Sequence, residues 1–411
     1  MKKAFKFLVV GLAVITAMLT FTHVSLGSGL DGIADFLREN AEGVYVANSP
    51  IIAMTNYAGQ NQRKLFSTLV NDMEVWGDIT PHTMLKSKLN MTKLSIADGA
   101  RPYAGGLEDT SQDALNYTGL VLEAELGQRD FAIEIKKYYN QWLEMELNAR
   151  EGSAATAKTI PFAQYTYNEI FKALRSELNN KTAYFGFKKS DAVAYAAGDT
   201  YAVNAYITFV EGALTNYYQC TVITTAGQSP TTHPAKWRKV NAEAICPGFR
   251  HHLAGLISSS AVTPVTIGVI DNADVFAYAA HSALFRSHKE TYQKMGVVHY
   301  CSYEQFYLLM DDIEDKVAKY TEKDANYVGK RGLILPKTNG KCEIRPCTWM
   351  SGSERIMSTP QENLHGCTDL LSDLNSIATR EATNYVAVSS IAFTLGFQIQ
   401  DPAAFRTNDR P

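Results

Sequence analysis

Between Gly332 and Ile399 the chain alternates strand-forming runs and turns so closely that a β-rich scaffold is the architecture that accommodates it. Gly332-Leu333-Ile334-Leu335-Pro336 leads through Lys337-Thr338-Asn339-Gly340-Lys341 into Cys342-Glu343-Ile344-Arg345-Pro346-Cys347. Asn-Gly between two β-rich runs predicts a hairpin, because both residues tolerate the positive φ that tight turns demand. Ser351 to Pro360 is a strand candidate closed by proline. Asn363 to Asp369 reads as a polar corner, and Tyr385 to Val388 with Ile391 to Ile399 as a strand pair or one bent strand. This stretch sets no nucleophile beside a base and contains no phosphate loop, so it predicts a scaffold rather than a reaction centre.

The 411 residues are 46% hydrophobic and 20% charged, enough for a sizeable core in one elaborate domain or two to three smaller ones. An aromatic share of 11%, with 22 tyrosines, suits β structure or extensive interfaces. A net charge of −3 gives no electrostatic footprint for gripping nucleic acid. Six cysteines, Cys220, Cys246, Cys301, Cys342, Cys347 and Cys367, form no CxxC pair. Cys342, Cys347 and Cys367 with His365 lack the spacing of a zinc knuckle, so reduced, scattered thiols are expected.

At the N-terminus Lys2, Lys3 and Lys6 precede an apolar run from Leu8 to Phe21, too short to span a bilayer. Residues 1–27 therefore read as a signal-like segment or as a hydrophobic arm. Leu30, Ile33, Ala34 and Leu37 predict a short amphipathic helix. Leu65, Leu69 and Met73 mark the face of a second, stopped by Gly77, Asp78 and Pro81. From Lys88 to Leu147 the period becomes two. Leu89, Met91, Leu94 and Ile96 lie before a Gly/Asp/Ser-rich tip, and Leu120, Leu122, Phe131, Ile133 and Ile135 lie after it. This predicts a long two-stranded excursion or, alternatively, an ordinary meander.

Further along, Thr166-Tyr167-Asn168-Glu169 has the form of a capping box, followed by an apolar stripe of Ile170, Phe171, Leu174 and Leu178 that ends at Asn179-Asn180. Asp271-Asn272 predict the cap of a long helix from about Ala273 to Met295, ended by Gly296. Val297 to Cys301 reads as a buried strand, and Ser302 with Gln305 as the cap of a helix through Tyr320. Two constellations with catalytic residue types carry little. His251 and His252 near Cys246 are adjacent on one element and point apart, and the acidic run Asp311, Asp312, Glu314, Asp315 reads as a solvated face.

The order Leu335-Pro336, Gly352 to Ile356, Asn363 to Asp369 and Gly396 to Ile399 resembles the C-terminal half of the major capsid proteins of tailed bacteriophages. Helix, strand, Cys301-Ser302 and helix likewise match that family's entry into its axial domain, so the resemblance covers residues 55 to 410 apart from one insert. It implies an α+β tailed-phage capsid fold, with an N-terminal arm, an extended β-hairpin loop, a peripheral domain with a spine helix, and an axial domain. The implied division is 1–27 signal-like or arm segment, 28–87 arm, 88–147 extended loop and adjoining strands, and 148–194 peripheral domain. Then come 195–240 insert, 241–296 return to the peripheral domain, 297–375 axial domain and 376–411 closing strands. The implied function is self-assembly into pentamers and hexamers of an icosahedral shell, in a virion put together in the host cytoplasm. The genome would be enclosed without sequence-specific binding, with scaffold, portal or decoration proteins as further partners. No cofactor, metal or catalytic residue is expected.

Residues 195–240 resemble a small all-β module of the chitin-binding type: Tyr195-Ala-Ala-Gly198-Asp199, a tyrosine strand through Tyr218, and Pro234-Ala-Lys-Trp237. Tyr218 and Trp237 either stack on the rings of a surface glycan or form the core of a module too small to have another. Together with the signal-like N-terminus, this module defines the alternative, a secreted or surface carbohydrate-binding protein. The position of the insert inside a continuous pattern favours the capsid reading.

Overall fold

A computed structural model of the chain describes residues 50–96, 115–134, 162–316, 331–370, 375–383 and 386–410. The signal-like segment, the predicted helix around Leu30 and the hairpin tip up to residue 114 lie outside the described residues. In chain order the elements are α1 (Pro50–Asn71), α2 (Glu74–Asp78), β1 (Thr80–His82), β2 (Lys88–Ile96), β3 (Leu115–Glu123), β4 (Glu125–Glu134) and α3 (Phe162–Glu177). Next come β5 (Val193–Ala194), β6 (Tyr206–Glu211), β7 (Leu214–Cys220) and β8 (Trp237–Lys239), of which β5 precedes the expected 195–240 boundary. There follow α4 (Phe249–Ser258), α5 (Ala277–Ser287), α6 (Glu290–Met295), β9 (Val297–Cys301) and α7 (Tyr303–Lys316). The chain closes with β10 (Leu333–Ile334), β11 (Cys342–Pro346), β12 (Met357–Thr359), β13 (Leu364–Cys367), β14 (Ser376–Thr383), β15 (Val386–Ile399) and β16 (Arg406–Thr407). This mixture of helix and sheet agrees with the α+β expectation.

The chain divides into two compact units. The smaller takes its described residues from 50–60, 131–134, 162–167 and 378–389. Its centre is Tyr167, fully buried, stacked on Tyr57 and bonded through its hydroxyl to Thr379 Oγ1 at 2.6 Å and Ser389 Oγ at 3.1 Å.

The larger unit holds two sheets. In the first, β1 runs parallel to β13 and β13 antiparallel to β15, with Leu364 opposite Ile399. The second has the order β10-β11-β9-β12-β16. Its central strand β9 is buried at all five positions, as a run of Val-Val-His-Tyr-Cys with neighbours on both edges and cover on both faces requires. Ala277, Ala280 and Leu284 of α5 and Leu309 and Ile313 of α7 pack over Val297, Cys301 and Ile344. Leu65, Phe66, Leu69 and Val70 of α1, with Met73, Val75 and Trp76, are also core, so the end of the 28–87 segment is built into this unit.

Several local expectations are corrected. Thr166 does not cap α3, which already begins at Phe162, and Asn179 does not terminate it freely. A π-turn over Leu178–Thr182 continues the helix and buries Asn179. The long helix expected over 273–295 is two helices. Asp271 accepts the N–H groups of Ala273, Asp274 and Val275, which fixes a loop and delays the helix to Ala277, whose N–H is taken by Asn272 Oδ1 at 3.0 Å. His288, with ψ near 149°, then breaks the chain before α6. The polar corner around His365 is instead the fully buried strand β13. Of Ser351 to Pro360, three residues form strand β12. Asp312 lies on no solvated face. It is buried and accepts the Tyr278 N–H at 2.8 Å, serving the first turn of α5.

Candidate functional site: a two-stranded hairpin and an inserted module

Alternating apolar residues make β2 and β3 a hairpin, paired over nine residues from Lys88 opposite Glu123 to Ile96 opposite Leu115. No further strand pairs with either among the described residues. Its base is anchored in the larger unit: Met91 and Leu122 are buried against Cys367, with Leu85, Leu89 and Leu120 around them. Ala124 N–H donates to the Ser87 carbonyl at 2.7 Å, and Gln398 Nε2 donates to the Val121 carbonyl at 3.0 Å. Gly396 on β15 explains how close the base sits. A Cβ there would lie 2.0 Å from the Glu123 carbonyl oxygen and 2.8 Å from Cys367 Sγ. Val121, by contrast, is exposed.

The stretch from Val193 to Lys239 folds as a four-stranded sheet, β5-β6-β7-β8, with β6 and β7 joined by a tight turn at Gly212, φ +64°. Its faces differ in role. Ile207, Tyr218, Cys220 and Trp237 gather with Tyr195, Tyr201 and Phe209 into a small core of its own. Tyr206 and Tyr217 turn to the other side and pack with Phe187, Val240 and Ala244; the Phe187 and Tyr206 rings stack at 4.0 Å. Trp237 is 6% exposed and Tyr218 8%, so both predicted ring residues sit in the module core and neither offers an open face. Trp237 Nε1 donates to the Gln228 carbonyl at 3.1 Å. The Tyr218 hydroxyl donates to the Glu211 carboxylate; burial and that carboxylate push the phenol up to about 12. Lys239 lies 5.9 Å over the same ring.

The catalytic residue types considered from sequence are dispersed or sealed. All six cysteines are buried and unpaired. Burial pushes the Cys246 thiol well above its ordinary range and lifts Cys301 and Cys367 to about 12, the opposite of what a nucleophile needs. Burial, with His251 beside it, holds His252 down at about 4, and His251 faces Asp191 at 3.4 Å instead of a thiol. No group of three or more metal-ligating side chains occurs among the described residues. No described helix is long and apolar enough to cross a membrane.

The chain is similar to proteins in solved phage and virus-like particles. It matches a chain of the satellite phage P4 procapsid that includes the size determination protein, at 12% identity and a TM-score of 0.48, over 84% of this chain and 89% of that one. It matches the virus-like particle from Pyrococcus furiosus at 8% identity and a TM-score of 0.38, over 85% and 98%. It matches the capsid of Myoviridae phage XM1 at 9% identity and a TM-score of 0.37, over 82% and 90%. No family model matches the chain, and no curated protein matches it.

The residue that sequence reasoning passed over is Asp78, read as a helix stop. Its buried carboxylate accepts Arg331 Nη1 at 3.1 Å, Arg345 Nη1 at 3.5 Å and Trp349 Nε1 at 3.2 Å, and its carbonyl accepts the Tyr300 hydroxyl at 2.9 Å. Beside it, Glu74 accepts from the Thr348 N–H, and Asn179 bridges Val75 and Thr348. These bonds lock α2 to β9, to β11 and to the turn around Trp349. Only the fold brings the partners together, since they lie more than 200 residues away from Asp78 in sequence.

Proposed function

We propose that the chain is a shell-forming structural protein, the major capsid protein of a tailed bacteriophage, which assembles with copies of itself and performs no catalysis. The β2–β3 hairpin carries the reading. It is nine pairs long, no further described strand joins it, and the chain's own core holds it near its base, through Met91 and Leu122. A two-stranded ribbon is marginal in water unless its face lies on something. In a shell, that surface is a neighbouring copy, and contacts of this heterologous kind close into rings. The order of turn and strand motifs from β10 to β15 supports the same reading. Pentamers and hexamers, enclosure of a genome, and scaffold, portal or decoration partners belong to it. In this reading Tyr218 and Trp237 hold the inserted module together rather than a glycan.

Electron microscopy and sedimentation of the purified full-length chain test it. Rings or closed shells are expected. The exposed Val121→Asp change on β3 should leave the circular dichroism spectrum and thermal midpoint intact while lowering the yield of assemblies. A folded chain that stays monomeric at high concentration overturns the proposal.

A further inference from the structure

Three histidines from three places in the sequence meet over one face of the second sheet. His299, at the middle of β9, is opposite Ile344 of β11 on one side and Ser358 of β12 on the other; Ser358 is opposite Arg406 of β16. Opposed residues share a face, so His299, Ser358 and Arg406 form a polar row across the strands. His281 of α5 lies over His299, ring on ring at 5.3 Å and 20°, with the two Nδ1 atoms 3.0 Å apart. His288, in the break between α5 and α6, bonds Ser358 Oγ through Nε2 at 2.7 Å. All three side chains are buried.

This arrangement suits neutral rings. Across the His281–His299 contact one Nδ1 must donate and the other accept. The outer nitrogens, Nε2 of His281 and His299 and Nδ1 of His288, are buried without hydrogen-bond partners. The ionisable groups that act on the rings are the other rings and Arg406, whose guanidinium also bonds the Ser287 carbonyl at 3.2 Å. The nearby carboxylates are engaged elsewhere. Asp312 of α7 accepts the Tyr278 N–H, and Asp401 accepts the Tyr292 hydroxyl. A proton added to the cluster would be a desolvated cation, and at His288 one beside Arg406.

We propose that the His281–His299–His288 cluster is an acid-sensitive latch, which holds α5 and the following break onto the second sheet while its rings are neutral and releases them when they take up protons. Burial draws His281 down to about 3, burial and then Arg406 draw His288 to about 4, and burial with the two other rings draws His299 well below its ordinary range. A released histidine protonates near 6.5, so the open state binds protons first. The latch is therefore at full strength above about pH 6.5 and weakens as pH falls from there toward about 4, by up to about tenfold per ring and pH unit.

Hydrogen exchange of the full-length chain, read by mass spectrometry, tests the latch in two ways. Backbone exchange of α5, corrected for its intrinsic pH dependence, should open at least tenfold more between pH 7.5 and 5.0 than that of α4. His281→Gln and His299→Gln should each cut that ratio several-fold. His288→Gln, at the edge of the cluster, gives the same reading should either of those not fold. An α5 ratio that is unchanged in the variants that fold overturns the proposal. Exchange at the imidazole C2 position gives each histidine's own titration in the folded wild type. A midpoint above pH 6 for His281 or His299 overturns the proposal independently of any variant.

Discussion

Asp78 and Gly396 show how single positions fix the larger unit. Removing the Asp78 carboxylate leaves Arg345, itself 5% exposed, as a buried cation with Glu343 as its remaining partner at 2.7 Å. Breaking one partner of a buried ionic network costs roughly 3–5 kcal/mol. Asp78→Ala is therefore expected to lower the denaturant midpoint severely, and Asp78→Asn less, because the amide oxygen still accepts from Trp349. Gly396→Ala should cost roughly 1–3 kcal/mol through overpacking against the Glu123 backbone. Its effect should be concentrated at the hairpin base, seen as faster amide exchange in β3 than in β9. Equal acceleration in both strands would count against Gly396 as the fitting point.

Among the elements, the inserted module is the most informative. Its own core is five buried side chains, one of them Trp237. Trp237→Ala should destabilise the module by roughly 3–5 kcal/mol, seen as new proteolytic cuts between residues 195 and 240 while the rest of the chain resists. A folded, protease-resistant variant would return Trp237 to the role of a surface platform. The other face of the module covers Phe187, so replacing residues 195–240 with a Gly/Ser linker uncovers that ring. The linker itself is cheap, since loop-closure cost grows only about 0.6 kcal/mol per doubling of length. Uncovering one phenylalanine costs about 1.5–3 kcal/mol. The linker version is expected to fold with that loss, and Phe187→Ser should recover solubility in it. Failure to fold in both forms would make the module integral to its host.

For the whole molecule, the six cysteines give a global probe. All are buried and free, and burial pushes each thiol upward. The native chain should leave an aromatic disulfide reagent almost unreacted at pH 8, and all six thiols should react in guanidinium. Prompt reaction of several thiols in the native chain would show that the sheets are packed less tightly than described. How tightly the sheets close also decides what the chain can offer to neighbours.

What the sequence determined by itself was local and periodic. Asn339-Gly340 specified the β10–β11 turn, with both residues at positive φ. The run Val297-Val298-His299-Tyr300-Cys301 specified β9 as a buried strand, and the period-two stretches nearest the tip specified β2 and β3, whereas Phe131 and Ile133 lie on β4, outside the hairpin. These readings succeed because turn geometry and strand alternation depend on neighbours a few residues away. Tertiary structure alone decided the rest. Asp271, read as a helix cap, spends its carboxylate on a loop, and the helix is broken at His288, which the sheet draws to Ser358. The run around His365 is polar in composition and yet is a buried strand, because β1 and β15 supply its backbone partners from far along the chain. Asp78, His281 and His299 carry no local signal, since burial and electrostatic environment are properties of what the fold sets beside a residue, not of the residues that flank it in sequence.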